Sequence, residues 1–139
     1  MDALVVDYAG VFTEDGMPEV VARVRAAGFK TALLSNADAV PAPLPDVFDA
    51  VVVSGAVGFA KPDAAIYRHA AAVLRVDPSR CVFVDDVAEY VRGAARVGMV
   101  GVHHRDVEST VEELVVLLDL PAAADQFEAQ DGGGGRDVE

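Results

Sequence analysis

The chain has 139 residues, of which 53% are hydrophobic and 24% charged, so it is long enough for one domain with a sizeable core and too short for two. Acidic residues outnumber basic ones by 23 to 11, giving a formal net charge of −12. This charge would repel nucleic-acid phosphates and anionic membrane surfaces, so neither is expected as a partner.

Cysteine content and hydropathy predict a cytoplasmic protein. Cys81 is the single cysteine and cannot form an internal disulfide, which favours a reducing compartment. No uncharged stretch approaches the ~20 residues of a membrane span, and the first residues lack the pattern of a signal peptide. We expect Cys81 to be a small core residue and not a reactive thiol.

Short apolar runs alternate with helical patterns along the chain. The predicted strands are residues 4–6, 31–34, 50–53, 81–84 and 99–102. A helix pattern ending at Gly28 follows the first strand, and a proline-broken loop follows the second. A helix opening near Pro62 places Ile66, Ala70 and Val73 on one face, and further helices follow the last two strands. Parallel strands need such crossovers, so the predicted fold is α/β, a Rossmann-like three-layer sandwich with a five-stranded parallel sheet.

The composition changes after residue 120. Residues 121–139 hold alanines, four consecutive glycines and scattered acids, with only Phe127 and Val138 as sizeable apolar groups. Such a segment buries too little apolar surface to offset the entropy of ordering. We therefore predict an α/β core over residues 1–120 and a disordered, acidic and Gly-rich tail over residues 121–139.

Polar residues cluster where the predicted strands end, which is the edge at which open parallel sheets bind ligands. Asp7 follows the first strand, and Asp85 and Asp86 follow the fourth. Carboxylates from two strands meeting at one edge would suit Mg²⁺, which also accepts phosphate oxygens and water. Taken singly, each of these residues is more often a turn or helix-cap residue, so the prediction depends on their combination.

Three further polar residues have positions suited to phosphate. Ser35 and Asn36 end the second strand, and Lys61 lies just before a helix start, where it could reach the same edge. A lysine there would neutralise phosphoryl oxygens as they gain charge. Alone, Ser35 and Asn36 would be an ordinary helix cap and Lys61 a surface residue.

Four segments of the chain, in order, resemble the four motifs of the haloacid dehalogenase-like hydrolase superfamily. They are LVVDYAGV at 4–11, LLSNA at 33–37, KPD at 61–63 with Ile66 and Tyr67, and VFVDD at 82–86 with the later glycines at 93 and 98. The resemblance covers roughly residues 3 to 104. It implies an Mg²⁺-dependent hydrolase or phosphatase that passes through an aspartyl-phosphate and acts on an unidentified phosphorylated substrate.

The resemblance also implies roles for individual residues. Asp7 would be the nucleophile, while Ser35, Asn36 and Lys61 would bind the phosphoryl group. Asp7, Asp86 and the backbone carbonyl of Ala9 would hold Mg²⁺, with Asp85 as a further ligand or a partner of the ligands. The short gaps, 27 residues between Asp7 and Ser35 and 25 between Ser35 and Lys61, predict a capless type. The open site would admit a small phosphorylated substrate or a partner protein.

Two residues depart from the family pattern. Ala9 stands where such phosphatases usually carry a second Asp that protonates the leaving alcohol and activates water, and Tyr90 stands where relatives often have Asn. Losing that general acid and base would slow hydrolysis by ~10²–10⁴-fold. The candidate replacements are Glu14, Asp15, Asp38, His103 and His104.

Ala9 leaves two functions open. One is a hydrolase that is impaired or specialised by the substitution. The alternative is a non-catalytic module of the same fold that binds phosphate and Mg²⁺, or that holds a long-lived aspartyl-phosphate as a regulatory signal.

Overall fold

The structure, a computed structural model, describes residues 1–41 and 43–120. The predicted tail lies outside the described residues. The strands are β1 (Ala3–Val6), β2 (Lys30–Ser35), β3 (Ala50–Val53), β4 (Cys81–Asp85) and β5 (Val100–His103). The helices are α1 (Met17–Ala26), α2 (Ser54–Val57), α3 (Ala64–Leu74), α4 (Ala88–Arg96) and α5 (Val107–Leu117), with a short 3₁₀ turn at Pro78–Arg80.

The five strands form one parallel sheet in the order β3-β2-β1-β4-β5. β1 lies at the centre, where Val6 pairs with Leu33 of β2 and with Val84 of β4. The carboxyl ends of these three strands therefore lie side by side. The predicted α/β fold with a five-stranded parallel sheet is confirmed.

Each face of the sheet carries its own hydrophobic core. Leu4 and Val6 point into a cluster with residues of α1 and α5, whereas Val5 points into a cluster with residues of α3 and α4. All four residues of β1 are fully buried, as expected for a strand covered on both faces. Cys81 is also fully buried, as the sequence predicts.

Some details of the elements differ from the sequence-based prediction. Val73 is 50% exposed, because the buried stripe of α3 ends on Leu74, about 100° further around the helix. Helix α1 ends at Ala26, two residues before the predicted end at Gly28. The short helix α2, directly after β3, was not predicted, because four residues carry too little periodic pattern to be recognised.

Over residues 1–41 and 43–120, no helix combines the length and the apolar character that crossing a membrane requires.

Candidate active site at the carboxyl ends of the strands

The turn that follows β1 brings the backbone close to Asp86. Residues Tyr8–Phe12 form a tight turn in which Ala9 and Gly10 leave the helical conformation, and Gly10 has φ +83°. A side-chain carbon at Gly10 would collide with the carboxylate of Asp86. The left-handed backbone at this position favours glycine, and the absence of a side chain lets the Asp86 carboxylate approach the turn closely.

Three carboxylates converge beside this turn. Asp7, Asp85 and Asp86 each offer an oxygen within 4.8 Å of the others, with Asp7 and Asp85 buried and Asp86 exposed. The pairing of the central strands explains the convergence, because the backbone N–H of Asp7 donates to the carbonyl of Val84 at 3.0 Å. The three acids that the sequence places at strand ends thus form one cluster, open to solvent on the Asp86 side.

Lys61 lies inside this cluster. Its ammonium donates to Asp7 Oδ1 at 2.8 Å, to Asp85 Oδ2 at 2.8 Å and to the carbonyl of Leu34 at 3.1 Å. The residue is only 4% exposed although it lies in a loop. All three N–H bonds of the ammonium therefore have protein acceptors, and Lys61 bridges the carboxylates of β1 and β4.

Asn36 holds the backbone of Lys61 in place. The Asn36 side chain donates from Nδ2 to the Lys61 carbonyl at 3.0 Å and accepts from the Lys61 backbone N–H at Oδ1 at 2.9 Å. Asn36 therefore acts on the loop that carries Lys61. Ser35 is the last residue of β2 and is buried at the same edge of the sheet.

Two aromatic rings flank the ammonium of Lys61, and sequence reasoning assigned neither of them to the site. The ammonium lies 5.0 Å from the ring centroid of Tyr90 and 5.6 Å from that of Phe83. The hydroxyl of Tyr67 donates to the Tyr90 carbonyl at 2.7 Å and so fastens α4 to α3. The sequence marks Tyr90 only as a departure from the family pattern, because its contact with Lys61 depends on tertiary packing.

Burial raises the pKa of Asp85 above its ordinary value, and the ammonium of Lys61 opposes this shift. The other carboxylate oxygen of Asp85 accepts from the backbone N–H of Val87 at 3.0 Å. Both oxygens of this fully buried side chain therefore have partners. The Asp85 carboxylate is held as a fixed part of the site.

The donor set fits a hard divalent cation. Three carboxylates and one ammonium carry a formal net charge of −2, and all the candidate side-chain donors are carboxylate oxygens. The close packing of Gly10 under Asp86 also leaves the backbone of the turn next to the carboxylates. Asp7, Asp85, Asp86 and the Ala9 carbonyl remain the predicted metal ligands.

Of the five residues predicted as possible replacements for an acid at position 9, Glu14 and His104 contact each other. Glu14 Oε1 lies 2.6 Å from Nε2 of His104, whose Nδ1 lies 2.6 Å from the hydroxyl of Thr110. His103 faces the backbone carbonyl of Asp86 at 3.0 Å through Nε2. Asp15 and Asp38 are exposed. Thr110 was not considered from sequence, since a threonine inside an amphipathic helix carries no signal of its own.

Curated proteins similar to this chain include two phosphatases. Sesquiterpene phosphatase astK of Aspergillus oryzae is 39% identical over 73 residues, which cover 52% of this chain and 37% of that protein. Phosphatase MT3486 of Mycobacterium tuberculosis is 43% identical over 58 residues, which cover 42% of this chain and 27% of that protein. The chain spans less than half the length of these relatives.

Solved structures share the fold. An uncharacterized protein from Corynebacterium glutamicum superimposes with a TM-score of 0.79 at 36% identity, covering 86% of this chain and 96% of that one. A HAD family enzyme from Bacteroides thetaiotaomicron, in complex with magnesium and inorganic phosphate, gives a TM-score of 0.64 at 14% identity, covering 79% and 98%. The family model of haloacid dehalogenase-like hydrolases matches residues 2–98. This chain belongs to the haloacid dehalogenase-like hydrolase family.

Proposed function

We propose that this chain is an Mg²⁺-dependent hydrolase or phosphatase that works through an aspartyl-phosphate on Asp7 and acts on an unidentified phosphorylated substrate. The observation that carries the proposal is the cluster of Asp7, Asp85 and Asp86 around the buried ammonium of Lys61, at the edge where parallel sheets bind ligands. Membership of the family and similarity to two phosphatases support it.

In this proposal Asp7, Asp86 and the backbone carbonyl of Ala9 hold the magnesium ion, with Asp85 as a further ligand or as the partner that fixes Lys61. When bound, Mg²⁺ neutralises negative charge on the phosphoryl oxygens. A protein of the same fold has been solved in complex with magnesium and inorganic phosphate, which supports the choice of this ion. The carboxylate donor set supports it independently.

The first chemical step is an attack by Asp7. Lys61 already occupies Oδ1 of this residue, so we assign Oδ2 as the oxygen that bonds to phosphorus. The bond between phosphorus and the leaving oxygen then breaks, and its electron pair goes to the leaving group. We assign Ser35 and Lys61 to binding the transferred phosphoryl group, for which Lys61 exchanges one protein acceptor for a phosphoryl oxygen, and Asn36 to holding the loop of Lys61. Because its ammonium contacts both Asp7 and Asp85, Lys61 can neutralise negative charge as it shifts during phosphoryl transfer.

Ala9 limits which substrates can react. A methyl group cannot protonate a departing alkoxide or take a proton from the water that hydrolyses the aspartyl-phosphate. A donor whose leaving group is stable without a proton, such as an acyl phosphate, still allows the first step. We therefore expect slow hydrolysis of ordinary phosphate esters.

The second candidate function is a regulatory module that holds the aspartyl-phosphate for a long time. The specific observation in its favour is Ala9, whose side chain is exposed in the turn where the family usually provides a carboxylate. Under this alternative the acyl-phosphate of Asp7 accumulates because nothing nearby activates water. The predicted open, capless site would then present the phosphorylated residue to a partner protein.

One experiment tests the proposal and separates the two candidates. Acetyl phosphate and p-nitrophenyl phosphate are supplied with Mg²⁺ to the natural chain, to Ala9→Asp and to Asp7→Asn, and both turnover and protein labelling are measured. Steady turnover that Asp7→Asn abolishes supports the enzyme. Stoichiometric labelling without turnover, converted to turnover by Ala9→Asp, supports the module. If the natural chain and Ala9→Asp take up no phosphate, the role assigned to Asp7 is wrong.

A further inference from the structure

A closed ring of contacts links the turn after β1 to the ends of β4 and β5. Gly10 touches the carboxylate of Asp86, and its backbone N–H donates to the hydroxyl of Thr13 at 3.0 Å. The next residue, Glu14, contacts His104 at 2.6 Å. The backbone N–H of His104 then donates to the carbonyl of Asp85 at 2.9 Å, which returns the ring to the acidic cluster.

The imidazole of His104, a member of this ring of contacts, is protected from water. His104 is 4% exposed and is fixed on its other side by the fully buried hydroxyl of Thr110. The side chain of Glu14 is 43% exposed, so it reaches the imidazole from the surface. The imidazole of His104 cannot rotate because both of its nitrogens have partners, so the Glu14 carboxylate bound to it is held in one position. The loop that carries Glu14 is thereby held in place as well.

These contacts bear on how the turn Tyr8–Phe12 is positioned relative to the carboxylates of the acidic cluster. Asp7 is held by Lys61 and by strand pairing, and Asp85 is held by Lys61 and the Val87 N–H. On the C-terminal side of the turn, the contact of Glu14 with His104 joins the turn to the end of β5. His103 supports the same region by facing the Asp86 carbonyl at 3.0 Å.

We propose that Glu14 and His104 are positioning residues, which hold the turn after Asp7 against Asp85 and Asp86 and thereby set the affinity of the cluster for a divalent cation. The inference rests on the proposed function, because it takes the acidic cluster as the metal site. Partners that orient metal ligands typically change metal affinity by about 10- to 100-fold when they are removed.

The test compares two neighbouring carboxylates of the same loop. Glu14→Ala removes the contact with His104, whereas Asp15→Ala removes an exposed carboxylate and makes the same change of charge. Binding of MgCl₂ to the full chain is measured by titration calorimetry, and hydrogen exchange of residues 8–12 is measured without metal. We expect Glu14→Ala to weaken Mg²⁺ binding about tenfold and to speed exchange in the turn, and Asp15→Ala to change neither.

Glu14→Gln serves as the conservative variant, because its amide can still form a hydrogen bond with the imidazole. It should recover most of the lost affinity, which a loss of negative charge alone would not allow. Equal effects of Glu14→Ala and Asp15→Ala, or unchanged Mg²⁺ affinity in Glu14→Ala, would overturn the positioning inference and leave the proposed function standing. If the natural chain binds no Mg²⁺, the proposed function fails together with the claim on affinity.

Discussion

The two ends of the sheet use charged residues in opposite ways. At the carboxyl end, Lys61 contacts Asp7 and Asp85 with side-chain exposures of 1%, 12% and 0%. At the amino end, Arg80 contacts Asp2 through two hydrogen bonds of 3.0 Å, and both side chains are 53% exposed. The donor–acceptor distances at the two ends are similar, so the two charged arrangements differ mainly in how deeply their side chains are buried.

Burial changes what each arrangement contributes. The exposed pair at the amino end remains in contact with water and salt, so its attraction is largely screened. The charged groups of the buried cluster at the carboxyl end have lost their hydration, and their attraction to one another must compensate for that loss. Removing one member leaves an uncompensated charge. A sheet selected for stability alone would gain little from such a cluster. Its presence at the ligand-binding edge is consistent with the chemistry proposed for it.

The largest expected effect comes from removing the buried cation. Lys61→Met leaves Asp7 and Asp85 facing each other without an ammonium, and should lower the free energy of unfolding by about 3–5 kcal/mol in the absence of metal. Added Mg²⁺ should restore part of this loss, because it can neutralise the same carboxylates. Urea unfolding with and without MgCl₂ measures both values.

Lys30→Met is the matched control at the amino end, where Lys30 donates to the Leu74 carbonyl at 3.1 Å. We expect a loss of about 1 kcal/mol that Mg²⁺ does not change. Equal losses in the two lysine variants would contradict the contrast between the two ends.

A smaller effect on stability, with a specific effect on metal binding, is expected for Gly10→Ala. Gly10 and Gly28 both have positive φ, +83° and +105°, so alanine strains the backbone at either position by about 1 kcal/mol. Only at Gly10 would the new carbon meet Asp86, whereas nothing lies within 4 Å at Gly28. Gly10→Ala should therefore weaken Mg²⁺ binding about tenfold, and Gly28→Ala should not. Calorimetric titration of both variants decides whether Asp86 is a ligand.

The acid stability of the amino end should depend on Asp49. Burial acts to raise the pKa of this carboxyl, but hydrogen bonds from the Thr31 N–H and from Arg25 outweigh it and hold the pKa below 3.8. Its contribution to stability is present above pH 3.8 and is lost as the pH falls through the lower native pKa. Asp49→Asn should flatten the acid limb of the unfolding free energy, measured between about pH 6 and about pH 2. An unchanged slope would show that the contacts of Asp49 do not favour its ionised form.

The smallest effect is expected for the exposed pair. The pKa of Asp2 is lowered by its hydrogen bonds to Arg80, but both groups stay in solvent. Asp2→Asn should shift the unfolding midpoint only slightly, and the difference should disappear at about 1 M salt. A large shift that persists in salt would mean that the pair is more than a surface contact.

Much of the fold could be predicted from sequence because its elements carry strong local patterns. The continuous apolar run at residues 4–6 predicts a strand buried on both faces, and this is what β1 shows. The predicted strand at residues 99–102 is shifted by one residue, and α2 was missed, because local patterns define element ends poorly. Val73 was assigned to the wrong face since neighbouring apolar residues on a short helix allow two stripes.

The candidate site, like the fold, has one part that could be predicted from sequence and another that could not. Asp7, Ser35, Asp85 and Asp86 could be placed together from sequence, because a residue at the carboxyl end of a parallel strand has a known edge of the sheet. The three protein acceptors of Lys61, the ring of Tyr90 and the pairing of Glu14 with His104 could not. These contacts join residues between 24 and 90 positions apart in the chain. No local pattern encodes them.

The amino-acid sequence by itself determined the alternation of strands and helices, the parallel sheet and the set of acids at its carboxyl edge. These follow from side-chain periodicity and from the rule that parallel strands end on one side. Tertiary structure alone decided that Lys61 is buried between Asp7 and Asp85 and that Glu14 reaches His104. Burial and long-range contact depend on how layers pack, and packing is a property of the whole domain and not of any segment.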